Sequence, residues 1–146
     1  MIRDSVTRFV IPAADRKRDG QLQIMLAEFP ELDGKVTLLE GQSRQAMTAS
    51  NVVLVNSGTA TLEAMLLRKP MVMSYRVGKI TYAIVSRLVT TQWFALPNIL
   101  AGRSIVPEFI QDAAVPSVMA SEVRRLLDEK EASDVITTFD EIHQLL

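Results

Sequence analysis

The segment 51–75 contains the residue types and spacings that could do chemistry most directly. A short β-branched run, 52–55, ends in a polar turn at Ser57 and Gly58, and from Thr59 onward apolar residues recur at helical spacing. In a strand–turn–helix unit, the free N–H groups at the helix start and the helix dipole favour an anion over the turn. Gly58 would let the backbone approach that anion closely. The pattern therefore predicts a phosphate-binding turn.

A hydroxyl and a carboxylate are predicted to face this turn together. Thr59 and Glu63 lie four residues apart, and side chains at this spacing share one face of a helix. A carboxylate can accept paired hydrogen bonds from the vicinal hydroxyls of a ribose. The alternative is that Ser57 or Thr59 caps the helix and that Glu63 only complements its dipole. One Ser-Gly-Thr turn does not distinguish the two interpretations.

Further polar residues follow the other predicted strands, where ligands bind in open parallel sheets. Arg76 could neutralise a diphosphate or hold a sugar phosphate, or it could be a surface arginine paired with an acid. Asn98 could bind sugar hydroxyls, or it could close a turn after Pro97. Glu40, Gln42, Glu108 and Gln111 occupy comparable positions. His143, the only histidine, lies far along the chain from these turns and is interpreted as a solvated or partner-facing residue.

The elements that must position these residues alternate along the chain. Apolar runs predict strands at 9–12, 36–39, 52–55 and 71–74, and helical periodicity predicts helices at 22–29, 43–49 and 59–67. The charged segment 13–20, with its basic cluster at 16–18, is interpreted as a solvated loop. This order predicts an α/β fold: a Rossmann-like parallel sheet with right-handed crossovers and helices on both faces. Further along, the pattern predicts a helix at 79–89, a fifth strand at 93–96, a helical turn at 106–110, and helices at 118–127 and 135–146.

Composition excludes several classes of function. With 146 residues and 48% hydrophobic residues, the chain is long enough for one globular core. A net charge of -1 gives no reason to expect nucleic acid as a partner. The absence of cysteine and the single histidine argue against thiolate and histidine metal sites. No secretory signal or membrane-spanning run is visible, which predicts a cytoplasmic protein.

A patch that rests on lipid is a minority interpretation. It would consist of Trp93, Tyr82 and Ile84 with the basic residues Lys79 and Arg87. Core packing explains the apolar members equally well.

An ordered series of motifs makes the interpretation more specific. It comprises Ser-Gly-Thr-Ala-Thr-Leu-Glu at 57–63, Pro-Met-Val-Met-Ser-Tyr-Arg at 70–76, Leu-Pro-Asn-Ile-Leu-Ala-Gly at 96–102 and Val-Pro-Glu-Phe-Ile-Gln at 106–111. The series resembles the lipid-A-disaccharide synthase family over residues 8–146, which correspond to the C-terminal part of a family member. The resemblance implies the GT-B architecture, in which two Rossmann-like domains enclose the active site and the C-terminal domain holds the UDP-sugar donor.

The resemblance also implies a reaction and a set of site residues. The reaction is the inverting, metal-independent and cofactor-free transfer of 2,3-diacylglucosamine from UDP to 2,3-diacylglucosamine 1-phosphate. Ser57, Gly58 and Thr59 would contact the diphosphate, and Glu63 would contact the ribose. The uracil would face the backbone around Leu39, Glu40 and Gln42. The donor sugar would be lined by Arg76, Asn98, Glu108 and Gln111.

Departures from the family pattern lead to the expectation of an incomplete GT-B protein. Residues 1–7 do not match, 8–112 would form the UDP-sugar-binding domain without its first strand and helix, and 113–146 would form C-terminal helices. The domain with the acidic catalytic base is absent, so we expect no catalytic residue in this chain and no activity from it alone. Other expected partners are the lipid acceptor, the cytoplasmic face of the inner membrane and a second copy of the chain.

Two other interpretations remain open. A UDP-sugar 2-epimerase shares the GT-B architecture and a similar turn, although the segments 96–98 and 106–108 argue against it. A non-enzymatic nucleotide-binding subunit, paired with a separate acceptor-binding chain, is the alternative from a different class.

Overall fold

Parallel strands and helices alternate along the chain in the computed structural model, which describes residues 7–78 and 92–145. The α/β class predicted from the sequence is confirmed. The chain divides between Ser50 and Asn51 into two units, which are described one at a time.

The first unit consists of two strands and the helices that accompany them. Its elements are β1 (Phe9–Ala13), α1 (Arg16–Leu26), a 3-10 turn (Pro30–Leu32), β2 (Val36–Glu40) and α2 (Ser43–Ala49). The two strands are parallel, with Phe9 beside Val36 and Ala13 beside Glu40. Ala13, Ala46 and Met47 are buried, and α2 packs against β1.

Helix α1 begins earlier than predicted, so the loop interpretation is wrong for residues 16–20. Asp15 is the reason, because its carboxylate accepts a hydrogen bond from the Arg18 N–H at 2.7 Å and caps the helix. The three basic side chains at 16–18 are exposed. No residue of α1 is buried, and Met25, which belongs to the predicted apolar stripe, is 60% exposed.

The second unit has a three-stranded parallel sheet in the order β3-β4-β5. Its elements are β3 (Val53–Val55), α3 (Gly58–Leu66), β4 (Met71–Tyr75), α4 (Leu96–Ala101), β5 (Glu108–Ile110), a 3-10 turn (Gln111–Ala113), α5 (Pro116–Leu126) and α6 (Glu129–His143). The register aligns Val55 with Met73 and Met73 with Glu108.

The core of this unit surrounds the central strand. In β4 the side chains of Met71, Val72 and Met73 are all buried, as expected for a strand covered on both faces. Helix α5 packs on β4, while α6 contacts α3, α4 and α5 and buries Phe139 and Ile142. Helices α5 and α6 therefore pack within the same unit as the three-stranded sheet.

Surface ion pairs add to this packing. Arg125 on α5 pairs with Glu122 and with Glu131 on α6, and these hydrogen bonds, that to Glu122 foremost, raise the pKa of the Arg125 guanidinium. Arg68 pairs with Asp140 at 2.8 Å. Because these pairs are solvent-exposed, each contributes roughly 0–1 kcal/mol, so the apolar core is the main source of stability.

Two predicted elements near the candidate site are wrong. Residues 93–96 do not form a strand. Helix α4 begins at Leu96 with Pro97 in its first turn, where proline fits a helix well. It ends at Ala101, and Gly102 follows in the left-handed conformation. Residues 106–110 are not a helical turn. They lead into β5, where the Met73 N–H donates to the Pro107 carbonyl at 2.9 Å.

The last helix also differs from its prediction. Helix α6 starts after its cap Asp128 and ends at His143, so the prediction that it runs to residue 146 is wrong. The helix predicted at 79–89 lies outside the described residues, as do four of the five residues of the lipid patch. Trp93, the fifth, is half-buried. Across 7–78 and 92–145, no helix is long and apolar enough to cross a membrane.

Candidate functional site

Two strand ends with polar residues meet at one edge of the second unit's sheet. β3 and β4 are parallel neighbours, with Val55 beside Met73. The chain leaves β3 through Ser57 into α3, and it leaves β4 through Arg76. Both residues therefore follow the carboxyl ends of adjacent strands, where open parallel sheets bind ligands.

Among the described residues no side chain caps the start of α3, and we refer to this as the open start of the helix. Ser57 has an extended backbone (φ -145°, ψ 139°), and its side chain makes no capping hydrogen bond. The first backbone bond of the helix runs from the Thr61 N–H to the Ser57 carbonyl at 3.2 Å. The N–H groups of Gly58, Thr59 and Ala60 precede it and have no partner within the helix. The alternative in which Ser57 caps the helix is therefore wrong, and these donors can serve a bound acceptor.

Two charged side chains near this edge have no partner among the described residues. Glu63 is half-buried and Arg76 is exposed, and neither forms a hydrogen bond or ion pair through its side chain within 7–78 and 92–145. Glu63 also lies beyond the first turn of α3, where the helix dipole acts most strongly. Both charges are therefore available to a ligand.

Gly58 makes a close contact inside the protein that leaves little room for a side chain. A Cβ atom at this position would lie 3.1 Å from the carbonyl oxygen of Phe94. The backbone of Phe94 thus approaches the first turn of α3 because residue 58 has no side chain. The sequence indicated a close approach at this glycine, but it did not indicate Phe94.

Asn98 is fully buried, and it uses all of its hydrogen-bonding capacity within the protein. Its Oδ1 accepts from the N–H groups of Ile105 and Val106, both at 2.8 Å. Its Nδ2 donates to the Val106 carbonyl at 2.8 Å and to Glu108 Oε1 at 2.7 Å. A side-chain amide offers two donors and two acceptor sites, so Asn98 has none left for a ligand in this structure.

Glu108 holds the segment that precedes α4. Its Oε2 accepts from the Phe94 N–H at 2.8 Å, and its Oε1 accepts from the Ala95 N–H at 2.9 Å as well as from Asn98. The carboxylate is therefore occupied by three protein donors. Among the described residues, no buried side-chain nitrogen or oxygen lacks a partner.

Thr61 connects this arrangement to α3. Its Oγ1 accepts from the Leu96 N–H at 3.0 Å and donates to the Gly58 carbonyl, and the side chain is fully buried. We refer to Thr61, Asn98 and Glu108 as the polar network. It joins the start of α3, the start of α4 and β5.

Gln111 fixes the backbone next to Arg76. Its side-chain amide accepts from the Val77 N–H at 2.7 Å and donates to the Val77 carbonyl at 3.0 Å. Its own φ is +54°, a conformation that is uncommon for residues other than glycine. The strained backbone and the paired hydrogen bonds occur together, and they fix the turn that follows β4.

The remaining predicted residues belong to the first unit. Leu39 and Glu40 end β2, and Gln42 precedes α2 after Gly41, which has φ +65°. Glu40 and Gln42 are exposed and Leu39 is half-buried. Their contact with uracil stays a prediction.

Sequence reasoning overlooked Thr61 and the backbone of Phe94. The available signal for Thr61 was a hydroxyl residue four positions before Met65, on the buried face of an otherwise apolar helix. A buried hydroxyl requires a hydrogen-bond partner. No sequence signal identified Phe94, because its contribution is made by main-chain atoms.

Comparisons with known proteins agree with the motif series. The profile of the lipid-A-disaccharide synthetase family matches residues 3–145, so it begins inside the segment 1–7 that showed no resemblance by motif. A lipid-A-disaccharide synthase of Alcanivorax borkumensis is 46% identical over 145 residues, which are 99% of this chain and 37% of that protein. One from Pseudomonas aeruginosa is 48% identical over 139 residues, covering 95% of this chain and 36% of that protein.

These matches cover nearly all of this chain but only part of each relative. The chain spans a little over a third of the length of the curated relatives it matches. The matched third contains the open start of α3, both unpaired charges and the polar network. On the family profile and these identities, the chain belongs to the lipid-A-disaccharide synthetase family.

Proposed function

We propose that the second unit binds the diphosphate of a UDP-sugar at the start of α3 and forms the donor site of a lipid-A-disaccharide synthase. The observation that carries this proposal is the open helix start, where Ser57 leaves the first N–H groups of α3 without a cap. These donors, together with the helix dipole, suit a diphosphate. At the same sheet edge, the unpaired charges of Glu63 and Arg76 supply a carboxylate for the ribose and a guanidinium for the phosphates.

The two charged side chains bind different parts of the ligand. The Glu63 carboxylate accepts hydrogen bonds from the ribose hydroxyls. The Arg76 guanidinium pairs with phosphate oxygens through its planar set of donors. In this proposal, the cationic side chain and the helix N–H groups face the same anion.

The same arrangement would assist glycosyl transfer. When the bond between the sugar C1 and the UDP oxygen breaks, negative charge develops on the departing diphosphate. Preorganised N–H groups and a guanidinium stabilise that charge where it forms. The acceptor hydroxyl also needs a base to take its proton, and we assign no residue of this chain to that role. The chain's share of the reaction, transfer of 2,3-diacylglucosamine from UDP to 2,3-diacylglucosamine 1-phosphate, is thus donor binding and leaving-group stabilisation.

Glu63→Gln is expected to raise the Kd for UDP about fivefold, because a neutral amide accepts only through its oxygen and loses the charge assistance. Isothermal titration calorimetry of the purified chain with UDP measures this change. Glu141→Gln is the matched control, since Glu141 is exposed on α6 and should leave the Kd unchanged. Equal Kd values for wild type and Glu63→Gln would remove Glu63 from the site, and no heat with millimolar UDP would contradict the proposal as a whole.

A chimera tests the activity itself. The chain would replace the matching 37% of the Alcanivorax borkumensis synthase, and disaccharide formation would be assayed with the purified chimera. We expect turnover, and we expect Arg76→Ala in the chimera to reduce kcat by more than tenfold, the usual scale for losing a group that stabilises transition-state charge. A folded chimera that binds UDP but makes no disaccharide, while the parent enzyme is active, would contradict the assignment.

A further inference from the structure

We propose that the polar network positions the donor-binding turn, and that Asn98 and Glu108 act through the backbone instead of touching the donor sugar. This inference rests on the proposed function, because it assumes that the turn at Gly58 receives a diphosphate. It assigns to Thr61, Asn98 and Glu108 a role different from the one the family resemblance implies for the last two.

The first step is the fixation of a short stretch of main chain. Three consecutive N–H groups are bound by side chains of the network: Phe94 and Ala95 by Glu108, and Leu96 by Thr61. Distances of 2.8–3.0 Å place all three within ordinary hydrogen-bond range. A segment bound at three successive residues has little freedom to move relative to the side chains that bind it.

The second step links this segment to the anion site. The Phe94 carbonyl lies 3.1 Å from the position of a Cβ at Gly58. Thr61, which binds Leu96, also donates to the Gly58 carbonyl. The first turn of α3 is thus restrained by the nearby Phe94 carbonyl and by the hydrogen bond from Thr61 to the Gly58 carbonyl. Displacement of the segment would displace the N–H groups that are proposed to bind phosphate.

The third step explains why Asn98 is needed. Its amide hydrogen bonds both to Glu108 and to the backbone at Ile105 and Val106, which leads into β5. Asn98 therefore fixes both the carboxylate of Glu108 and the strand that carries it. A donor-sugar hydroxyl could bind Asn98 only by displacing a protein hydrogen bond. The three protein donors leave Glu108 at most one of the roughly four acceptor sites that a carboxylate offers.

Thr61 offers a test that separates positioning from general stability. Thr61→Val keeps the shape of the side chain but removes the acceptor for the Leu96 N–H, whereas Thr61→Ser keeps the hydroxyl. Phe139→Leu, in the core on α6, is the control that destabilises the unit without removing any hydrogen-bonding group of the network. With the native state fully populated, Thr61→Val should raise the Kd for UDP about fivefold, the scale of one net hydrogen bond. Thr61→Ser and Phe139→Leu should bind UDP as wild type does.

Each alternative outcome has a definite meaning. If Thr61→Val binds UDP as tightly as Phe139→Leu, or if Thr61→Ser is as weak as Thr61→Val, the positioning role is overturned. If the wild-type chain does not bind UDP, the proposed function fails and this inference fails with it. Binding by wild type therefore distinguishes failure of the inference from failure of the function.

Glu108→Gln tests whether the network touches the sugar. The amide can accept through one oxygen only, so one of the backbone N–H groups at 94–95 loses its partner. If Glu108 acts through the backbone, the Kd values for UDP and for UDP-N-acetylglucosamine should rise by the same factor, about fivefold. If the Kd for the UDP-sugar rises and that for UDP does not, Glu108 contacts the sugar and the inference is wrong. An unchanged Kd for both ligands would also overturn it.

Discussion

Asn98→Ala is expected to lower the free energy of unfolding of the second unit by about 4 kcal/mol, because several buried polar groups lose their partners at once. The amide makes four hydrogen bonds, three of them to the backbone at Ile105 and Val106 and one to Glu108. An unsatisfied buried polar group costs roughly 1–3 kcal/mol. The loss is therefore a large fraction of the stability of an ordinary domain, about 5–15 kcal/mol.

Urea unfolding followed by circular dichroism measures this effect. Asn51→Ala is the control, because Asn51 is exposed and such surface substitutions usually change stability by less than about 0.5 kcal/mol. We expect a much lower urea midpoint for Asn98→Ala and an unchanged one for Asn51→Ala. Equal midpoints for the two variants would show that Asn98 is not the buried hydrogen-bonding centre described above.

Substitutions at Gly58 are expected to have the largest effect on ligand binding. Replacing a helical glycine by alanine usually stabilises the helix by about 1 kcal/mol. At Gly58 the added Cβ would meet the Phe94 carbonyl at 3.1 Å, and the polar network prevents that carbonyl from moving freely. We therefore expect Gly58→Ala to weaken UDP binding about tenfold, which corresponds to about 1.4 kcal/mol of lost hydrogen bonding, and Gly58→Val to weaken it further.

Gly20 provides the matched control. It lies within α1, and nothing is within 4 Å of a Cβ added there. Gly20→Ala should raise the melting temperature slightly, through helix propensity alone, and should leave UDP affinity unchanged. If Gly58→Ala and Gly20→Ala raise the melting temperature equally and both bind UDP normally, the contact with Phe94 does not control the site.

The sequence predicted the elements around the turn at Ser57 and Gly58 well because local signals agree there. The apolar run at 52–55 ends in small polar residues, and Ala60, Ala64 and Leu67 then recur at helical spacing. The structure has β3 and α3 at these places. The strand at 71–74 was equally clear, since a continuous apolar run followed a proline.

The residues after 92 were harder to predict because tertiary contacts decide their structure. The sequence predicts a strand at 93–96 that stops before Pro97, yet Pro97 occupies the first turn of α4, since proline favours both strand ends and helix starts. β5 is short, and it forms a strand because it pairs with β4. No local sequence pattern reveals such a pairing. For Asn98 and Glu108, contact with the donor sugar stays a prediction. Their buried hydrogen bonds join segments that are separate in sequence, so their partners could not be predicted.

A UDP titration followed by 1H–15N NMR spectroscopy tests the central claim most directly. If the diphosphate binds at the open start of α3, the backbone amides of Gly58, Thr59 and Ala60 should show the largest shifts, and they should saturate with the Kd that calorimetry gives. If UDP binds and the chemical shifts of these three amides do not change, the account is contradicted.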